Sequence, residues 1–249
     1  MNPAGTRAAI LVAETPGNIL TAALVAQLRT ALEDLQDAPH LRLITIQGEG
    51  PDFSFGASVP EHAPEVIGRV LPDMHALIVD LLHTPAPTAA IVRGRCLGGG
   101  FELALACDFI FAESDAVLGL PEIALGVFPP AATVLLPRRA GLARATSAIL
   151  TGQSLLATQW ESAGVIALTA PGRQLSAAID EWFDQTLARH SAEALRHAVR
   201  AVRVPLLDAV SRELPAVERA YLDDLMQSAD AREGIEAFLQ KRSPRWRDG

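Results

Sequence analysis

Two glutamates and a run of three glycines are the residues of this sequence best suited to carry out a reaction. The glycines at 98–100 stand just before Glu102 and an apolar run, an order typical of a tight turn that leads into a helix. The first N–H groups of a helix have no acceptor within it and carry partial positive charge, so such a turn can bind an anion. Glu122 is a second carboxylate, placed between a proline and apolar residues where a surface glutamate is not expected. Two carboxylates beside an anion-binding turn predict proton transfer next to a stabilised oxyanion.

Glu102 also has a simpler interpretation, because the dipole of a helix favours a carboxylate in its first turn. On that interpretation Glu102 stabilises the helix and takes no part in a reaction. The residues alone leave both interpretations open. Where the two glutamates act together, we expect both to be ionised.

The elements around the glycine run must present its backbone and bring the two glutamates together. Apolar runs and helical spacing alternate through the first two thirds of the chain, which predicts an α/β fold. We predict strands at residues 8–12, 41–47, 88–92, 108–112 and 116–118, and helices at residues 19–35, 64–71, 72–83 and 140–150. A helix should end or kink at Pro72 and at Pro205, because the proline ring removes a donor and clashes with the preceding turn.

The chain divides into two regions by its secondary-structure signals, although no linker separates them. Strand signals stop after Pro171, and the remaining segments have helical spacing. We therefore expect residues 1–171 to form a core that carries the site and residues 172–249 to form a helical C-terminal region. The apolar spacing of that region suits packing between subunits.

Composition and charge argue against several classes of protein. The chain has 249 residues, 49% of them hydrophobic, which is enough for a buried core, and its net charge of −8 argues against a nucleic-acid partner. No apolar run approaches the roughly 20 residues of a membrane span, and the N-terminal one is too short for a signal peptide. We therefore expect no membrane partner and a cytoplasmic location. Cys96 and Cys107 lack the spacing of a metal site, and no metal is expected.

Four segments of the sequence are typical of one known family. They read FSFGAS at 53–58, RGRCLGGGFELALACDFIFAESDAVLGLPEIALGVFPP at 93–130, LTGQ at 150–153 and DAREGIEAFLQKRSPRW at 230–246. Through these segments the chain resembles the crotonase (enoyl-CoA hydratase/isomerase) superfamily along nearly its whole length. The resemblance implies a crotonase-like spiral core of repeated strand-strand-helix units and a helical C-terminal region that assembles homotrimers or homohexamers. It also implies an acyl-CoA thioester substrate, with coenzyme A carried as part of that substrate and no separate cofactor.

The resemblance also assigns the central residues of the site. Members of the family hold the thioester oxygen with two backbone N–H groups, which match Ala57 and Gly99, and their two hydratase carboxylates match Glu102 and Glu122. This implies an enoyl-CoA hydratase-type lyase that adds water to a conjugated thioester, with the acid and base roles of the glutamates left open. The alternatives are an isomerase or a hydrolase of the same superfamily, or a protein that binds acyl-CoA without catalysis.

Departures from the usual family pattern point to a particular substrate. Ser58 replaces the usual aspartate of the oxyanion loop. Together with the segments at 61–62 and 127–131, it is most similar to hydratases that convert cyclohexa-1,5-diene-1-carbonyl-CoA to 6-hydroxycyclohex-1-ene-1-carbonyl-CoA. Phe55, beside the oxyanion donor, is either an aromatic wall for a ring or an ordinary packing residue. The residues expected to contact substrate are Phe55, Gly56, Ser58, Gly98, Phe128 and Pro129.

The C-terminal segment carries a basic pair, Lys241 and Arg242. The resemblance places this pair near the phosphates of coenzyme A, although a basic helix end is also what the helix dipole favours. Two histidines, His62 and His75, are either part of the pocket wall or polar residues of a helix.

Overall fold

Two β-sheets organise the chain in the computed structural model, which describes residues 1–2, 4–14 and 16–248. Pro3, Thr15 and Gly249 belong to the two predicted regions but lie outside the described residues. The strands are β1 Arg7–Val12, β2 Leu43–Gly48, β3 Thr88–Val92, β4 Arg95–Leu97, β5 Phe109–Glu113, β6 Val117–Gly119, β7 Leu155–Leu156 and β8 Leu168–Ala170. The larger sheet has the order β1-β2-β3-β5-β8 and all its strands are parallel, whereas β4, β6 and β7 form a smaller mixed sheet.

Helices connect the strands and form the C-terminal region. They are α1 Ala22–Glu33, α2 Pro64–His83, α3 Gly99–Ala106, α4 Pro130–Ala140, α5 Leu142–Thr151, α6 Ala157–Ser162, α7 Gly172–Gln185, α8 Ala192–Arg219 and α9 Ala229–Leu239. The site also includes three short helical segments. Two are 3-10 segments, at Val59–His62 and Pro121–Leu125, and one is a π-helical segment at Ala220–Asp224. Among the described residues, no helix is both long enough and apolar enough to cross a membrane.

Strand β3 shows why the larger sheet is covered on both faces. All five of its residues are buried, as expected for a central parallel strand. Because side chains alternate across a sheet, Ala90 and Val92 join the main core, while Ala89 and Ile91 pack with α7 on the other face. A third apolar cluster joins the C-terminal region to α2 through Ile67, Leu71, Tyr221, Met226 and Ile235.

Two predicted helix ends are wrong, while a kink at Pro72 stays a prediction. Helix α2 runs unbroken through Pro72, and α8 runs unbroken through Pro205. Proline costs about 3 kcal/mol inside a helix, but buried contacts on both sides offset that cost. In α2 the apolar face continues in phase across the proline, and in α8 the buried Arg203 precedes Pro205 while buried Val210 follows it.

Other differences from the predicted elements are smaller. Strand β4 lies between β3 and the glycine run and belongs to the second sheet, so β3 does not lead directly into the turn. Helix α4 begins at the paired prolines 129–130, where no helix was predicted, and α1 is shorter at both ends than the predicted 19–35. These differences arise because short or proline-initiated elements carry little periodic signal.

Candidate active site

The glycine run begins α3 and contacts Glu122. Gly98 has φ +52, a conformation that favours glycine, and its N–H donates to Gly119 O at 2.9 Å. A Cβ at position 98 would lie 2.6 Å from Oε1 of Glu122. Helix α3 then starts at Gly99, as the sequence predicts for a glycine turn before a helix.

The FSFGAS loop approaches the same helix start. Gly56 has φ +97, and a Cβ there would lie 2.8 Å from Leu97 O and 3.3 Å from Gly99 N. Ser54 fixes the loop, because its hydroxyl accepts from Gly56 N at 3.0 Å and donates to Asn18 O at 2.7 Å. The absence of a side chain at Gly56 therefore lets the loop lie against the first turn of α3.

Two backbone donors are available where the loop and the helix meet. Within the described part of the chain, the N–H groups of Ala57 and Gly99 donate no hydrogen bond to protein. Both residues line one cavity, and a Cβ on Gly99 would lie 3.3 Å from Ala57 N. Two preset donors in a site of this kind can stabilise a developing oxyanion.

Glu102 is held by the N-terminus of α4. Its side chain is buried, and Oε1 accepts a hydrogen bond of 2.8 Å from Ala132 N, within the first turn of that helix. Burial raises the pKa of Glu102 to about 7, while hydrogen bonds from Ala132 N and Ala131 N act in the opposite direction.

Glu122 lies on the 3-10 segment Pro121–Leu125 and has fewer partners. The residue as a whole is half-buried, but its Oε2 is buried and has no hydrogen-bond partner among the described residues. Burial, and after it the charge of Glu102, raises the pKa of Glu122 to about 8. Both raised pKa values favour retention of a proton by the pair, and the expectation of two ionised glutamates stays a prediction.

The two donors and the two glutamates line one cavity of about 100 Å³, which we call the central cavity. Its walls are otherwise largely apolar and come from both ends of the chain, including Leu20, Val25, Ile67, Leu71, Met74, Phe128 and Tyr221. Over the residues that the structure describes, no group of three or more His, Cys, Asp or Glu side chains is placed to hold a metal ion.

Most of the other residues predicted to contact substrate line the central cavity, but Ser58 does not. Gly56, Gly98, Phe128 and Pro129 line the central cavity, as does Phe55. Phe55 is also 40% exposed, and the Arg95 guanidinium lies 5.6 Å from its ring centre, so Phe55 is a residue of the cavity mouth and not of the core.

Ser58 is buried outside the cavity lining. Its N–H donates to Leu20 O at 3.3 Å, and its carbonyl oxygen lies 2.9 Å from Nδ1 of His62, which does line the cavity. Burial lowers the pKa of His62.

The basic pair lies away from the cavity lining. Lys241 is exposed, and Arg242 makes a bidentate ion pair with Glu233 at 2.5 and 2.9 Å. A role for this pair at the coenzyme A phosphates stays a prediction.

Sequence reasoning missed several residues that shape the site. Tyr221 lines the central cavity from the C-terminal region, and Asn18 holds the segment before the FSFGAS loop by donating to Glu49 O and Asp52 O at 2.9 Å each. Glu218 was also missed, and it pairs at 2.5 Å with Nδ1 of His75, a residue that the sequence analysis did name. The one available signal was composition, since Tyr221 is the only tyrosine in the chain.

Comparison with known proteins identifies the family. The model of the enoyl-CoA hydratase/isomerase family matches residues 8–249. The chain belongs to this family. A cyclohexa-1,5-dienecarbonyl-CoA hydratase from Thauera aromatica is 43% identical over 242 residues, which cover 97% of this chain and 93% of that protein.

Further relatives support the same conclusion. A 2,3-dehydroadipyl-CoA hydratase from Escherichia coli (strain K12) is 36% identical over 229 residues, covering 91% of this chain and 89% of that protein. The crystal structure of an enoyl-CoA hydratase from Mycobacterium avium subsp. paratuberculosis K-10 superposes with a TM-score of 0.82 at 27% identity, covering 93% of this chain and 90% of that one. The sequence-based predictions of the family, of its α/β crotonase fold and of an enoyl-CoA hydratase-type enzyme are confirmed.

Proposed function

We propose that this enzyme adds water to a conjugated, ring-shaped acyl-CoA thioester of the cyclohexa-1,5-dienecarbonyl-CoA type. The observation that carries the proposal is the central cavity, in which two free backbone N–H groups and two carboxylates surround a small apolar space. The relative from Thauera aromatica supports the ring substrate by its name.

The backbone donors account for activation of the thioester. When water adds to a C=C bond conjugated with a thioester, electrons move onto the carbonyl oxygen and an enolate forms. The N–H groups of Ala57 and Gly99 bind that oxygen more strongly as its negative charge grows, which lowers the barrier. The loss of one such donor typically costs about two to three orders of magnitude in rate.

The glutamate pair accounts for the movement of protons. The raised pKa values of the two glutamates favour a pair that holds one proton, so that one carboxylate accepts a proton from water while the other, as a carboxylic acid, protonates carbon. The α4 N-terminus favours the charged form of Glu102, whereas Glu122 has an unpartnered oxygen and a charged neighbour. We therefore assign Glu102 as the base and Glu122 as the acid. The pair gains one proton from water and gives one to carbon, so its proton count is unchanged.

The size of the central cavity supports a compact acyl group. Its volume is about 100 Å³, of the same order as the roughly 150 Å³ apolar cavity known to hold benzene. One small ring therefore suits this space better than a long acyl chain. Phe55 at the mouth supplies an aromatic surface beside that ring.

Incubation with cyclohexa-1,5-dienecarbonyl-CoA in ¹⁸O-labelled water tests the proposal by mass spectrometry. The expected product carries one molecule of labelled water and retains its thioester. Release of free coenzyme A would favour a hydrolase, and a thioester of unchanged mass that chromatography separates from the substrate would favour an isomerase. An unchanged thioester would favour acyl-CoA binding without catalysis.

Substrate choice is tested with crotonyl-CoA as the linear comparison. We expect a higher kcat/KM for the ring thioester, and loss of that difference in Phe55→Ala. A pocket difference of this kind is worth about 1–3 kcal/mol, or about 10- to 200-fold. Equal kcat/KM values in the unmodified enzyme would rule out the ring preference and leave the hydratase proposal standing.

Assembly and location complete the proposal. Exposed apolar side chains at Leu142, Leu150 and Val202 support association of copies as homotrimers or homohexamers, with residues 172–249 contributing to the contacts. A monomer by light scattering at micromolar concentration would contradict this assembly. The proposed location is the cytoplasm, which cell fractionation would test.

A further inference from the structure

Tyr221 places a hydroxyl-bearing ring in the wall of the central cavity. The residue is 1% exposed and lies on the π-helical segment Ala220–Asp224, beyond the end of α8. Its ring packs edge-on against Phe128 with 5.3 Å between ring centres, and Phe128 is itself a cavity residue. Single π-helical turns occur frequently at functional sites.

The Tyr221 hydroxyl makes no hydrogen bond to any other described residue. Oε2 of Glu122, in the wall of the same cavity, is also without a partner there. Buried polar atoms are almost always hydrogen-bonded, so the unpaired Oε2 of Glu122 indicates a polar atom of a ligand in the cavity that Tyr221 also lines. Burial, and then the charges of Glu102 and Glu122, raises the pKa of Tyr221, so its hydroxyl remains a neutral donor.

The segment that carries Tyr221 is anchored close to the ring. Glu218 lies three residues before Tyr221 and pairs with the buried His75 on α2. Helix α2 also supplies Leu71 and Met74 to the cavity wall. The His75–Glu218 pair therefore anchors the segment to α2, and the packing on Phe128 positions the ring.

We propose that the Tyr221 hydroxyl recognises the oxygen atom that hydration adds to the substrate, by donating a hydrogen bond to it within the central cavity. This inference rests on the proposed hydration and adds a third polar group to the site. In the forward direction Tyr221 orients the attacking water, and after reaction it binds the new hydroxyl of the product.

Tyr221→Phe tests the inference, because it removes the hydroxyl and keeps the ring that packs on Phe128. Two ligands are compared by calorimetry: the hydroxylated ring thioester, and cyclohexanecarbonyl-CoA, which lacks the hydroxyl. One neutral hydrogen bond corresponds to about fivefold to tenfold in affinity. We expect Tyr221→Phe to lose that factor for the hydroxylated ligand alone and to lower kcat by about tenfold.

Phe128→Leu is the matched control, since it removes the packing partner and keeps the hydroxyl. Phe128→Leu should weaken the binding of both ligands by the same factor. Equal losses for both ligands in Tyr221→Phe, or no loss for either, would overturn the inference by showing that the ring acts only as a wall.

A second readout uses the fact that the chain has a single tyrosine. With ¹³C at Cζ of tyrosine, one resonance reports the hydroxyl, and it should move further with the hydroxylated ligand than with the saturated one. Equal movement would count against the inference. Because calorimetry and this resonance need no turnover, a hydroxyl-dependent difference without hydration would refute the proposed function and not the contact.

Discussion

The regions that hold Glu102 and Glu122 differ, although their carboxylates line the same cavity. Glu102 projects from α3 into the first turn of α4, where backbone N–H groups bind it. Glu122 sits on a short 3-10 segment supported from outside by α9, because a Cβ at Gly234 would lie 2.1 Å from Leu125 O. One side chain is held by hydrogen bonds to its carboxylate, and the other is positioned mainly by packing of the backbone that carries it.

This difference shows how two residues of one type acquire different chemistry. Donors at a helix start offset part of the cost of burying the charge of Glu102. Oε2 of Glu122 has no donor among the described residues, and the carboxyl faces that charge, so Glu122 keeps a proton more readily even though its own backbone N–H acts in the opposite direction. A buried acid and a buried base can thus be made from two glutamates by altering only what surrounds them.

Replacing each glutamate by glutamine should have the largest effect on the reaction. Glu122→Gln and Glu102→Gln are each expected to lower kcat by about two orders of magnitude or more, because each removes one proton-transfer group. Binding of a saturated acyl-CoA should be retained, and the double variant should lose much less than the product of the single losses, since the pair acts as a unit. Steady-state kinetics and calorimetry measure these effects. Near-normal turnover in both single variants is incompatible with the proposed mechanism.

Gly98→Ala should displace the Glu122 carboxylate and leave Glu102 in place. The added Cβ would lie 2.6 Å from Glu122 Oε1, and φ +52 disfavours alanine. We expect kcat to fall about tenfold to a hundredfold through displacement of the carboxylate, and the free energy of unfolding to fall by about 1–2 kcal/mol.

Gly68→Ala is the control for that variant. Gly68 lies in α2, and an added Cβ there meets no atom within 4 Å. It should raise the free energy of unfolding by about 0.5–1 kcal/mol with kcat unchanged. If Gly98→Ala behaves like Gly68→Ala in denaturant melts and in kinetics, then Gly98 does not position Glu122.

The smallest effect concerns the pH dependence of stability. Glu122 has its folded-state pKa raised from an ordinary 4.5 to about 8, so between these values the folded protein binds more protons than the unfolded chain. The stabilisation from this proton is complete below pH 4.5, and stability falls as pH rises through the window. Glu122→Gln should flatten this fall in Tm, because glutamine does not titrate, and thermal melts across the pH range measure the difference. Parallel curves for the two proteins would mean that Glu122 titrates normally.

Much of the site could be anticipated from local patterns. A glycine run before an apolar segment predicts a helix start with free N–H groups, and α3 does begin at Gly99. Glu122 stood out by its apolar surroundings, and the family resemblance added Ala57 as the second oxyanion donor. Pro72 and Pro205 misled the prediction of the helices, because the local cost of proline was weighed without the burial on either side of it.

By itself, the sequence determined the features that depend on neighbouring residues: the α/β alternation, the glycine turn, and the two glutamates that stand out by their local surroundings. Only the tertiary structure decided how those residues behave. Glu102 meets Ala132 thirty positions along the chain, and Tyr221 enters the same cavity from the C-terminal region. Proton retention by the glutamates follows from burial and from the charge that one exerts on the other. Burial and the interaction between the two charges depend on distances in the folded protein, which the spacing of residues along the chain does not give.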